Sequence, residues 1–103
     1  MYVVYNRLPV PAEHAQAFEN MFNASFEHLK GVPGLLRTTL QRPTKPEQPY
    51  ISTMEWASQA DFMTWMQSDS FRASHVMPEG TPKEAMGKGS VIETYDTITD
   101  LKF

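Results

Sequence analysis

LLRTTLQR, residues 35–42, is followed by PTKPEQP, residues 43–49, and then by YISTMEW, residues 50–56. The outer two runs are rich in β-branched, aromatic and leucine residues. Read at a period of two, Leu36, Thr38 and Leu40 share one face of the first run, with Arg37, Thr39 and Gln41 on the other. Met54 and Trp56 share a side of the second run. Three prolines in the link remove backbone donors and favour turns, so the stretch reads as two antiparallel strands joined by a long hairpin loop.

On the N-terminal side, Tyr2 to Leu8 alternates as well, with Tyr2, Val4, Asn6 and Leu8 on one face and Val3, Tyr5 and Arg7 on the other. Pro9 and Pro11 end that strand. From Pro11, Ala15, Phe18, Phe22, Phe26 and Leu29 recur at helical spacing as far as Gly31, whose freedom at positive φ suits a helix stop. Val32-Pro33-Gly34 then turns the chain back.

On the C-terminal side, Ser58 with Asp61 three residues on has the form of a capping box opening an amphipathic helix with Phe62, Trp65 and Met66. Ser68 is placed to cap a new turn, so a break at Gln67-Ser68 is expected. Phe71 and His75 lie four residues apart on one face of that turn. Val76 to Gly89 holds three glycines and two prolines and predicts an irregular, mobile loop, with a single turn opened by Thr81-Pro82. Val91 to Ile98 reads as a fourth strand.

The order strand, helix, strand, strand, helix, strand is the split βαβ pattern of a ferredoxin-like α+β fold, expected as one domain over residues 1–103. Both helices would cover one face of a four-stranded sheet. The other face, carrying Tyr, Val, Met or Leu on several strands, is too apolar to stay wet, which predicts that a second copy of the chain covers it.

Composition narrows the chemistry. A net charge of -3 speaks against generic binding to nucleic acid or to an anionic membrane. With no cysteine, thiolate nucleophiles, iron–sulfur clusters and cysteine-based zinc sites are excluded. No run approaches the length of a membrane span, and the first strand starts at Tyr2, so a cytoplasmic location is expected. No dinucleotide, P-loop, zincin or nucleophile-elbow motif is present.

Three residues stand out, each with two readings. Asn6 interrupts an apolar strand face, where a carboxamide needs partners: it either bonds to backbone or donates its NH2 to a bound oxygen species in a pocket. Trp65 is either core filler or a rigid wall of a ligand cavity. His75 is either a surface histidine at a helix end or an axial metal ligand. His14 and His28 fall on the polar face of the first helix.

These residues sit in a wider pattern. Asn6 within VVYNRLPV, the GVPGL turn before the second strand, YISTMEW, and FMTW followed by SFRASH resemble the antibiotic-biosynthesis monooxygenase superfamily over essentially the whole chain. Within it the sequence looks most like the IsdG-type haem-degrading monooxygenases. The resemblance implies a homodimer whose two sheets form a dimeric α+β barrel, with one haem bound per subunit between helix and sheet. Haem would be both cofactor and substrate, opened with O2 and electrons from an external donor or reductase, with release of iron. It assigns Asn6 to the distal side, Trp65 to the porphyrin face, which it would push out of plane, and His75 to the proximal side of the iron. Phe71, by its spacing on the same helical face as His75, is a further candidate haem contact. Arg72, one turn before His75, is a candidate propionate contact, with Arg7 second. The loop after His75 would close over the site. A non-catalytic haem-binding protein and a cofactor-independent quinol or polyketide monooxygenase are the alternatives on the same fold.

Overall fold

In the computed structural model, which describes residues 1–74 and 91–103, four strands form one antiparallel sheet. They are β1 (Tyr2–Leu8), β2 (Leu35–Gln41), β3 (Tyr50–Trp56) and β4 (Val91–Asp96), in the order β2-β3-β1-β4. The helices are α1 (Ala15–Ser25), α2 (Gln59–Met66) and α3 (Asp69–Ser74). This is the split βαβ arrangement expected from the sequence.

The first helix is less uniform than its periodicity implies. A 3-10 turn at Ala12–His14 precedes α1, and another at Phe26–Leu29 follows it. Ser25 Oγ donates to the Phe22 carbonyl at 2.6 Å, a back-bond that competes with the helical ladder at the point where the chain tightens. Gly31 and Gly34 both lie at positive φ, 76° and 80°, on either side of the expected turn. At Gly34 a side chain would also collide with the Asp61 carboxylate, so helix-to-strand turn and α2 are in close approach there.

Register fixes what each strand face carries. On β1 and β3 the partners include Val4 with Met54, Asn6 with Ser52, and Leu8 with Tyr50. On the helix side these residues form two buried groups. Val4, Trp56, Phe62 and Trp65 make one, with Tyr2, Leu35, Met54 and Phe71 packed against it. Leu8, Phe18 and Tyr50 make the other, with Val10, Phe22 and Leu40.

Strand β2 departs from simple alternation. Leu35 pairs with Trp56 and Arg37 with Glu55, so Leu36 is an extra residue in a bulge. Leu35 therefore takes the core position expected of Leu36, which is 60% exposed. β2 ends at Gln41 and β4 at Asp96, one and two residues short of expectation.

The opposite face is also more polar than its sequence suggested. Val3, Tyr5, Ile51, Val91 and Tyr95 lie there with Arg7 bonded to Glu93 at 2.5 Å and Arg37 paired with Glu55 at 3.5 Å. Met54 belongs to the helix side instead, because its register partner is Val4. Tyr5 and Tyr95 meet edge to face at 5.5 Å, and beneath them Val3 is buried. Among the described residues no helix is long and apolar enough to cross a membrane.

Candidate functional site

Asn6 lies on the helix side of a central strand, in the row between the two buried groups. Its neighbours along that face are Val4 and Leu8, and its partners across the strands are Ser52 and Ile92. The residue is partly buried, while its Oδ1 is fully buried with no hydrogen-bond partner among the described residues. An unpaired buried carbonyl costs roughly 1–3 kcal/mol, so its placement is one that packing alone would disfavour. The simple backbone-bonded reading of Asn6 therefore does not hold for this oxygen.

Trp65 is held from several sides. It is 6% exposed, 5.5 Å from Trp56 and 5.0 Å from Phe71 between ring centroids, the latter edge to face. Its Nε1 donates to Ser70 Oγ at 3.4 Å, and the Ser70 hydroxyl donates to the His28 carbonyl, tying α3 to the end of the first helical segment. On its outer side Trp65 lines a groove of about 250 Å³ with His28, Val32, Thr64 and Ser68. Core packing and a wall facing open space are thus both properties of this one side chain.

The expected break between α2 and α3 is present, and Ser68 makes it. Its hydroxyl donates to the Trp65 carbonyl at 2.6 Å, closing α2, and accepts from the Phe71 N–H at 3.2 Å, opening α3. Ser58 Oγ likewise accepts from the Asp61 N–H at 3.2 Å at the start of α2. Asn6, Trp65 and Phe71 thus share the layer between helices and sheet. Arg72 lies on α3, and only its backbone is described. His75 and the loop that follows it lie outside the described residues, as does the turn expected at Thr81-Pro82. Arg7, the second choice for a propionate contact, is on the other sheet face and bonded to Glu93.

Sequence reasoning passed over two features. Glu19 accepts from Arg42 through Nε at 2.8 Å and Nη2 at 2.5 Å, and the Tyr50 hydroxyl donates to it as well. These bonds from Arg42 and Tyr50 hold its carboxyl down to about 2. Burial, with the carboxylate beside it, pushes the Tyr50 phenol up. Joined residues 23 and 31 positions apart leave no local signal in the chain. The second feature is Ser52, a buried polar residue directly opposite Asn6. Period-two counting from Trp56 places it on the helix side, so it was within reach of the alternation rule.

Among the described residues no three His, Cys, Asp or Glu side chains lie together as a metal site. The groove along the outer side of Trp65 is bounded by His28, Val32, Thr64 and Ser68 and has neither Asn6 nor Phe71 in its lining, so the aromatic wall and the carboxamide occupy separate parts of the helix side of the sheet.

The sheet order and the helices on one face make this a ferredoxin-like α+β domain. The family model described as antibiotic biosynthesis monooxygenase matches residues 1–76. A "Heme oxygenase (staphylobilin-producing)" of Staphylococcus epidermidis is 30% identical over 77 residues, covering 73% of each chain. Among solved structures, a mutant of MhuD with two manganese protoporphyrin IX bound per active site has a TM-score of 0.85 and 25% identity, over 100% of both chains. MhuD is a heme-degrader from Mycobacterium tuberculosis. SnoaB, a cofactor-independent oxygenase from Streptomyces nogalater, shares the fold with a TM-score of 0.75 and 20% identity, over 97% of this chain and 95% of its own. The chain belongs to the antibiotic biosynthesis monooxygenase family, and the resemblance and enzyme class read from the sequence stand.

Proposed function

We propose that this chain is a haem-degrading monooxygenase that opens the porphyrin with O2 and externally supplied electrons, releasing iron. The observation that carries the reading is the Asn6 side chain on the helix side of the sheet, its Oδ1 buried without a partner among the described residues, in the row between the two apolar groups. The curated relatives' activity supports it from a second direction. Bound haem supplies the redox iron and, at its edge, the carbon that is oxidised.

The chain's own residues have distinct roles. Asn6 would help to hold the bound group from the sheet side, with Nδ2 as the donor offered to it. Trp65, braced by Trp56 and Phe71, would wall the porphyrin and keep water from it. His75, by its place in the family pattern, would hold the iron, and Arg72 would be the first choice for a propionate contact. A second copy of the chain covers the sheet face that carries Val3, Tyr5 and Tyr95, making a homodimer. A separate reductase or small reductant supplies the electrons.

Haemin titration tests the reading in one cuvette. A Soret band saturating at a fixed stoichiometry, bleached with release of ferrous iron on adding ascorbate in air, is the expected result. A band that persists under reducing, aerobic conditions would leave only a haem carrier, and no band at all would move the chain to cofactor-independent oxygenases. Asn6→Ala should keep most of the haemin affinity and slow the bleaching by roughly 10²-fold, the scale of losing one oriented donor. His75→Ala should change the Soret position itself.

A further inference from the structure

The row of the sheet between the two buried groups runs Leu40, Ser52, Asn6, Ile92 from β2 to β4. Two of these four are polar. Ser52 is 7% exposed, at an inward strand position where β-branched or aromatic side chains are the usual choice. It contributes little volume and one hydroxyl.

Among the described residues the Asn6 oxygen has few sources of a hydrogen bond. β1 is paired on both sides, so the backbone N–H groups beside it are committed to the ladders. Val4, Leu8, Leu40 and Ile92 have no donor. Of the diagonal neighbours on β3, Met54 has none and the Tyr50 hydroxyl is given to Glu19. Thr94, diagonal on β4, is exposed and farther off. Ser52 is directly opposite, where paired side chains have Cβ atoms about 4.5–5.5 Å apart. In the structure Asn6 Oδ1 has no partner among the described residues, and a turn about the Ser52 Cα–Cβ bond is the change that would carry a hydroxyl toward it.

We propose that Ser52 is the positioning residue for Asn6: its hydroxyl donates to Asn6 Oδ1 and so fixes which end of the carboxamide faces the ligand layer. A carboxamide is nearly symmetric in shape, and rotation by half a turn exchanges a donor for an acceptor. With Oδ1 tied to Ser52, Nδ2 is the end left for a ligand. What Nδ2 then meets rests on the haem reading, whereas the Ser52 bond does not.

The test separates the two. In isotopically labelled, ligand-free protein, the Asn6 side-chain amide resonances are identified by their loss in Asn6→Ala. Ser52→Ala should shift them and speed their exchange with solvent roughly tenfold, the scale of one hydrogen bond lost. Ser52→Thr, which keeps the hydroxyl, should restore them. Resonances that do not move in Ser52→Ala overturn the proposal, even if haemin binds. With haemin loaded, Ser52→Ala should retain affinity but move the alkaline transition of the visible spectrum in the direction that Asn6→Ala moves it. The double variant should add nothing further. If the resonances respond but wild-type protein takes up no haemin, Ser52 keeps its role and the haem reading falls.

Discussion

Trp65 answers to two demands at once, and a pair of substitutions separates them. It is the joint of an aromatic group that includes Trp56, Phe62 and Phe71, so truncation leaves a hole that the sheet cannot close. Trp65→Ala should cost about 3–5 kcal/mol in urea unfolding. Trp65→Phe should recover most of that stability, because its ring still fills the space. If Trp65 also shapes the ligand face, the Phe variant will fold well yet turn haem over more slowly, which reductant-driven bleaching measures. Asn6 and Trp65 stand out in the sequence because each breaks or anchors a periodic pattern. His75 is put forward only by family resemblance, since a histidine near a helix end carries no pattern of its own, and it lies outside the described residues.

Between α2 and α3, helices of 8 and 6 residues, the Ser68 hydroxyl bonds to both. Short helices depend on their caps, since few of their backbone bonds are internal. Ser68→Ala leaves the backbone bonds that close α2 but removes the side-chain bond to the Trp65 carbonyl and the cap of α3, and should cost about 1 kcal/mol. Its amide exchange should rise first at Phe71, whose N–H the hydroxyl accepts from, while the β1–β3 ladder stays protected. Uniform loss of protection would argue against a local role. Strand phases, the hairpin and both serine caps could be read in advance, because period and capping chemistry are local. The Leu36 bulge could not, because a period-two count has no means of registering an extra residue. The 3-10 ends of the first helix were hidden for a related reason: apolar residues three and four apart fit both helix types.

Acidity acts on the molecule as a whole through the Glu19, Arg42 and Tyr50 cluster, which joins α1, the end of the hairpin and β3. Glu19 titrates at about 2 when folded against 4.5 ordinarily. A lowered folded value means that its contribution is complete above the unfolded value and fades as pH falls toward the folded one. Glu19→Gln should therefore have a lower urea midpoint than wild type at neutral pH, with the gap closing as pH falls from 4.5 to about 2. A gap independent of pH would show that the carboxylate's charge is not what matters. The bulge at Leu36 has a bearing on how the chain tolerates changes of length. Leu35 and Arg37 already stand opposite consecutive residues of β3, so deleting Leu36 leaves every downstream side chain on its present face. Deleting Thr39, a few residues on, exchanges inside for outside along the rest of the strand. The first deletion should fold with a modest loss of melting temperature and the second should not fold, which makes one position of β2 the place where this sheet can gain or lose a residue.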